Sequence, residues 1–147
     1  MAAVAAAGAA APHAASSGKA QLITKADSIC RSVDRQTAPY QKKVNKLVSA
    51  KHPDYKRMAS ALNKGVAIEQ AGLDRLRALP VPAADRAAVT KVWNELSTII
   101  SASQDMSTAV GDGNIPAVNE ATQRKAGAQT VYDRLAKAFG FRYCGGE

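Results

Sequence analysis

The chain has 147 residues, of which 46% are hydrophobic and only 5% aromatic, and it carries a formal net charge of +8. This length is sufficient for one domain with a real core, and the scarcity of aromatic side chains argues against an all-β sandwich. Ala, Lys, Gln and Leu favour helices, and no apolar stretch reaches the ~20 residues that a membrane span needs. The composition therefore predicts a small, basic, all-α domain without a transmembrane span.

Residues 1–19 form a low-complexity segment rich in Ala, Ser and Gly. The run of residues 2–11 has the length of the apolar part of a signal peptide, but no Lys or Arg precedes Lys19. Two interpretations stay open: a signal-peptide remnant whose true start lies upstream, or a disordered Ala-rich leader. We favour the export signal, because the two cysteines point to an oxidising compartment. A lipid anchor at Cys30 is not expected, since such a signal needs a small residue directly before the cysteine and Asp27-Ser28-Ile29 has none at that position.

The first predicted helix covers about residues 20–51. Its apolar positions keep a spacing of three or four residues that runs through Pro39, so one helix kinked near Pro39 is predicted. Two shorter helices meeting at Thr37-Ala38 are the alternative. The helix is expected to end at His52-Pro53, because the residue before a proline resists helical geometry.

Three further helices are predicted at about residues 54–79, 83–110 and 115–139. Pro80-Val81-Pro82 and Gly111-Asp112-Gly113 separate them, and Gly140 occupies the usual position after a helix end. Gly65 and Gly72 each weaken the second helix by about 1 kcal/mol relative to alanine, so packing must stabilise it. Because all three connections are short, we predict an antiparallel up-down four-helix bundle.

The two cysteines, Cys30 and Cys144, are predicted to form a disulfide. A fourth helix of about 25 residues spans ~37 Å, which brings its end to about the level of residue 26 on the neighbouring first helix. The short tail after Gly140 can then reach Cys30. Closing a loop of this length restricts the unfolded chain by up to ~4.7 kcal/mol. A disulfide implies an oxidising compartment, whereas a lone buried Cys30 acting as a small hydrophobic residue is the alternative.

Three short motifs also suggest a relationship: ADSIC at residues 26–30, LRALPVPAADR at 76–86 and AFGFRYCG at 138–145. Together they resemble a loose group of small exported helical proteins from high-GC actinobacteria. Members of that group share an early Ala-Asp-x-Ile-Cys, a Leu-rich turn with two prolines and a final Gly-x-x-x-Cys-Gly. The resemblance implies the helical fold, the disulfide and export. It brings no established activity and no catalytic residue, and many members have a lipoprotein anchor or membrane span near the N-terminus.

The positive charge is concentrated in one part of the chain. Eight cations lie between residues 35 and 64, against Asp54 alone, and they account for nearly all of the net charge of +8. A basic face of this kind attracts anionic surfaces, and the dominance of Lys over Arg favours diffuse attraction over bidentate phosphate recognition. The alternative is a solvated lysine-rich face with no specific role. The predicted anion-binding residues are Lys42, Lys43, Lys46, Lys51, Lys56 and Arg57.

Catalysis is not predicted. A di-metal site in a helical bundle needs Glu-x-x-His pairs, and the sequence has none. Glu69 lies close to the apolar stripe of the second helix, with its carboxylate expected in solvent, and Trp93 is expected in the core. His13 and His52 are too far apart to form a metal site with the cysteines, so no metal and no cofactor are expected.

The sequence therefore leaves two candidate functions. The first is a non-enzymatic, exported binding module at the cell envelope, with anionic lipid, wall polymer or an envelope protein as its partner. The second is an intracellular basic helical protein that binds nucleic acid.

Overall fold

The computed structural model describes the backbone of residues 12–145 and the side chains of residues 17–145, and this part of the chain forms four helices. A single 3₁₀ turn, Ala83–Asp85, precedes the third helix, and no strand occurs between residues 12 and 145. The predicted all-α bundle is therefore confirmed. The helices are α1 (Pro12–Val48), α2 (Tyr55–Arg77), α3 (Arg86–Gly111) and α4 (Ile115–Phe139).

Sequential helices run in opposite directions and pack against one another, α1 on α2, α2 on α3 and α3 on α4. The connections at residues 49–54 and 112–114 consequently lie at the same end of the bundle, which we call the upper end. The connection at residues 78–85 and the tail, residues 140–145, lie at the lower end. Gly111 lies next to Ala59 at the upper end and Gly18 lies next to Pro82 at the lower end, in agreement with this arrangement.

Local sequence signals account for the helix ends. The Asp54 side chain accepts a hydrogen bond of 2.9 Å from the backbone N–H of Arg57 at the start of α2. Asn114 does the same for Ala117 at the start of α4, at 3.2 Å. Gly140 ends α4 with φ of +108°, a left-handed conformation that glycine adopts without the steric cost of a Cβ atom.

The first helix is longer at its beginning than predicted. It begins at Pro12 and ends at Val48, so residues 12–19 of the low-complexity leader belong to the helix. Proline suits the first turn of a helix, and Ala14 and Ala15 favour helical geometry. Packing helps, because the Lys19 ammonium lies 4.3 Å from the centroid of the Phe139 ring. Residues 1–11, including most of the predicted signal remnant, lie outside the described residues.

The helix also continues through Pro39, which excludes the alternative of two shorter helices. The kink at this proline stays a prediction. The other helices agree with the predicted boundaries to within a few residues, the largest difference being the start of α3 at Arg86 rather than near residue 83.

One core joins the four helices to the tail, and its centre lies in the lower half of the bundle. Its largest fully buried side chains include Leu73, Leu76, Val89 and Val92. Small residues line the contact between α2 and α3 nearer the upper end, where the Ser107 hydroxyl donates to the Ala59 carbonyl at 3.0 Å. In α1, by contrast, no residue beyond Asp27 is fully buried.

Gly72 is needed where α2 crosses α1. A Cβ atom built at this position would overlap the Cγ2 methyl group of Val33, so any larger residue would push α1 away from α2. Gly65, two turns earlier on the same helix, has no such neighbour within 4 Å. The two glycines that appeared equivalent in the sequence therefore differ in their packing.

Candidate functional site

The tail folds back and is joined covalently to α1. The sulfur atoms of Cys30 and Cys144 lie 2.09 Å apart, and their Cα atoms lie 5.3 Å apart, so the predicted disulfide is confirmed. Cys144 is buried, with 2% of its surface exposed. The bond fixes the middle of α1 to the residues that follow α4.

Asp27 is a second attachment point for the tail. This role was not predicted from the sequence. Its buried carboxylate accepts hydrogen bonds from three consecutive backbone N–H groups, those of Arg142, Tyr143 and Cys144, at 3.0 to 3.3 Å. Backbone amides beyond a helix end lack helical acceptors, so the carboxylate satisfies one buried donor, that of Cys144, and two partly buried ones. The available signal was an acidic residue one turn before Cys30 on a largely apolar face.

Aromatic side chains complete the attachment of the tail. Phe141 stacks on Trp93 with a centroid distance of 5.4 Å and also contacts Phe139 at 4.8 Å. The Arg31 guanidinium lies 4.2 Å from the centroid of the Tyr143 ring. Trp93 has 5% of its surface exposed, which confirms its predicted place in the core.

The predicted anion-binding residues all lie at the upper end, on exposed surface. We call them the upper basic surface. Three belong to the last turns of α1, one to the connection and two to the first turn of α2: Lys42, Lys43, Lys46, Lys51, Lys56 and Arg57. Among the described residues, one ion pair has its nitrogen and oxygen within 4.0 Å, and it joins Arg124 to Asp105. None of these six cations is therefore paired with a carboxylate. Asp54, the acid nearest to them in sequence, caps α2.

Exposed apolar side chains accompany the cations. Val48, Ile115 and Tyr55 have 59%, 50% and 43% of their surfaces exposed, and all three lie at the upper end. The other large apolar residue exposed in the described part of the chain is Tyr143, in the tail. The upper end therefore combines unpaired cations with apolar side chains that the fold does not bury.

A groove opens between the middle of α1 and the middle of α4, with α2 and α3 as its floor. It has a volume of about 250 Å³ and is closed at its lower side by the disulfide and Tyr143. We call it the α1–α4 groove. Apolar side chains line most of it, and its polar lining residues are Asp34, Thr37, Glu69, Lys125, Gln129 and Tyr132.

Glu69 departs from its predicted environment. Its Oε2 atom is buried and has no hydrogen-bond partner among the described residues, so the expectation that the carboxylate points into solvent is wrong. Burial raises the pKa of the Glu69 carboxyl, the Lys125 ammonium lowers it, and the Asp34 carboxylate raises it again. At the rim, partial burial raises the pKa of Asp34. Burial also raises the pKa of Tyr132, with further contributions from Asp133, Asp34 and Asp27.

Two further carboxylates on α3 and α4, Asp105 and Glu120, are not part of this groove. Asp105 is exposed and paired with Arg124 at 2.6 Å, and Glu120 is exposed on α4. His52 is exposed in the upper connection, whereas the side chain of His13 lies outside the described residues. Among the side chains that the structure describes, no three His, Cys, Asp or Glu residues are grouped in a way that could hold a metal ion.

No family model, curated protein or solved structure matches the chain. None of the helices in the described region combines the length and the apolar character needed to cross a membrane.

Proposed function

We propose that this protein is a non-enzymatic binding module of the cell envelope that attaches to anionic lipid surfaces through its upper end. The observation that carries the proposal is the combination of six exposed, unpaired cations with the exposed side chains of Val48, Tyr55 and Ile115. Cations alone would suit any polyanion. The apolar side chains favour a lipid bilayer, because it offers both anionic headgroups and an apolar interior.

The expected strength of the attraction follows from the charges. Each Lys or Arg near an anionic bilayer contributes about 1 kcal/mol, and the attraction decreases within a Debye length of ~8 Å at physiological ionic strength. Six cations at one end therefore suffice for reversible binding. Lysine ammonium groups are strongly hydrated and flexible, so no single headgroup needs to be recognised.

The disulfide supports an extracytoplasmic location. Disulfides persist in oxidising compartments, and Cys30–Cys144 joins residues that are 114 positions apart in sequence. The alternative function is an intracellular nucleic-acid-binding protein, since the same cations would neutralise phosphates. We favour the envelope because the alternative explains neither the disulfide nor the exposed apolar residues.

Vesicle co-sedimentation tests this function. The disulfide-bonded protein is expected to bind vesicles that contain phosphatidylglycerol, to bind pure phosphatidylcholine vesicles weakly, and to dissociate steeply as salt is added. Reversing Lys42, Lys43, Lys46 and Lys56 to Glu is expected to abolish binding without unfolding, because all four side chains are exposed.

A control variant reverses four cations elsewhere to Glu, so its net charge changes by the same amount. Reversing the exposed residues Lys25, Lys91, Arg134 and Lys137, which lie outside the upper basic surface, is expected to weaken binding only slightly. Equal losses of vesicle binding in both sets would show that binding depends on the net charge of the protein and not on the upper basic surface, which would contradict the proposal. Absence of wild-type binding at low salt would refute the proposal.

The apolar residues distinguish lipid from other polyanions. Changing Val48, Tyr55 and Ile115 to Ser is expected to weaken vesicle binding while the charges remain. If the protein instead binds soluble anionic wall polymer or duplex DNA more tightly than vesicles, and the serine variant binds them equally well, the partner is not a lipid.

A further inference from the structure

We propose that the α1–α4 groove binds a small amphiphilic amine, with its ammonium group at Glu69 and its apolar part over the floor of the groove. This site is separate from the upper basic surface, so it does not depend on lipid binding. The groove presents two carboxylates, Asp34 and Glu69, against a single cation, Lys125. Its local charge is thus opposite to that of the protein as a whole.

Glu69 provides the specific attraction. Glu69 lines the groove and has no ion pair within 4.0 Å among the described residues, so a ligand ammonium beside its carboxylate would supply a charge-assisted hydrogen bond. Lys125 acts on Glu69 electrostatically, but no ion pair within 4.0 Å joins the two side chains. The lysine therefore leaves the Glu69 carboxylate without an ion-pair partner, and it would compete with a bound cation for the negative charge.

The shape of the groove sets the size and character of the ligand. Its volume of about 250 Å³ is just below the ≈ 300–1,000 Å³ of typical ligand pockets, which indicates a small molecule. Leu73, Leu76 and Ile99 are buried side chains that line it, so an apolar body is favoured next to the charged group. A hydrophilic polyamine would leave these surfaces uncovered.

The fold holds the groove in shape from two sides. The disulfide and the hydrogen bonds to Asp27 fix the tail against α1 at the lower side. Gly72 allows close approach of α1 to α2 at Val33, and both of these residues line the groove. A site whose walls are fixed in this way loses little conformational entropy when a ligand binds.

Titration of the isotope-labelled, disulfide-bonded protein with cyclohexylmethylamine, followed by amide NMR shifts, tests the site. We expect saturable shifts confined to residues 30–37, 69–76 and 125–132. Cyclohexylmethanol, a neutral molecule of the same shape, is expected to bind at least about tenfold more weakly, because it lacks the charge-assisted interaction. This comparison uses only the wild-type protein.

Three variants then assign the roles of the side chains. Glu69→Gln is expected to weaken amine binding by about tenfold or more and to remove the preference for the amine over the alcohol. Lys125→Gln is expected to strengthen amine binding, because a competing cation is removed. Glu120→Gln changes an exposed glutamate on α4 and is the control, with no expected effect.

Shifts that do not saturate, or that scatter over the surface, would overturn the proposal. Equal affinities for the amine and the alcohol would do the same, since the groove would then be an apolar cavity without use of Glu69. An unchanged affinity in Glu69→Gln, with its helical circular dichroism intact, would also rule out the assigned role.

Discussion

Replacing the buried Asp27 by Asn is expected to destabilise the protein more than an Asp-to-Asn change at an exposed position. The Asp27 carboxylate is the acceptor for three backbone N–H groups of the tail, and it is 4% exposed. Asparagine has one carbonyl oxygen, and its NH₂ group would face donors instead of acceptors. At least one tail N–H therefore loses its partner, and the others bond to a neutral oxygen.

The size of the effect follows from these bonds. A hydrogen bond to a charged group contributes about 1.5–3 kcal/mol, against about 1 kcal/mol for a neutral pair, and a buried unpaired donor costs a further ~1–3 kcal/mol. Because the disulfide still keeps the tail near α1, we expect a total loss of about 2–4 kcal/mol. At roughly 3 °C per kcal/mol for a domain of this size, Tm should fall by about 6–12 °C.

Thermal unfolding followed by circular dichroism measures this change, and Trp93 fluorescence shows whether Phe141 still stacks on the indole ring. Amide hydrogen exchange at residues 142–144 should accelerate in the variant. Asp105→Asn is the matched control, because it removes an exposed ion pair that is worth about 0–1 kcal/mol. If Asp27→Asn melts within about 1 °C of the wild type and its tail amides remain protected, the anchoring role of Asp27 is wrong.

Two further predictions concern α2. Gly72→Ala is expected to lower the free energy of chemical unfolding by about 1–3 kcal/mol, since the new methyl group would overlap Val33. Gly65→Ala should raise it by up to about 1 kcal/mol through helix propensity. Equal effects of the two changes would contradict the packing argument. Glu69→Gln should have little effect on Tm near pH 4 and raise it at pH 7. The reason is that burial raises the pKa of Glu69 in the folded protein above its ordinary value of 4.5. Between these two pKa values the folded state binds more protons than the unfolded state. The stability of the wild type therefore decreases as the pH rises through this range. The gain in Tm is therefore expected at pH 7 and not near pH 4, and a difference in Tm independent of pH would refute the linkage.

The helices and their order could be predicted because the signals are local. Apolar spacing of three or four residues identifies each helix, and Pro53, Pro80 and Gly140 mark their ends without any knowledge of the fold. The disulfide followed from the same information, since helix lengths and short connections bring the tail to the level of Cys30. These inferences needed only the rise per residue and the direction of each helix.

The misjudged features depend on contacts between distant residues. Whether Glu69 lies in solvent or in a groove depends on how far α1 stands from α4, which no helical pattern on α2 reveals. Low complexity gave no sign that residues 12–19 belong to the first helix, and the contact of Lys19 with Phe139 joins residues that are far apart in sequence. Gly65 and Gly72 have the same local cost, and only the position of Val33 separates them.

The tail forms part of the wall of the α1–α4 groove. Phe141 and Cys144 are buried at the lower end, where Phe141 packs on α3 and α4 and Cys144 is bonded to α1. The backbone N–H groups that enter with these side chains donate to the Asp27 carboxylate. Cys30, Tyr143 and Cys144 also line the α1–α4 groove, together with Glu69. The attachment of the tail and the proposed ligand site thus share these residues, and a change that releases the tail should alter both.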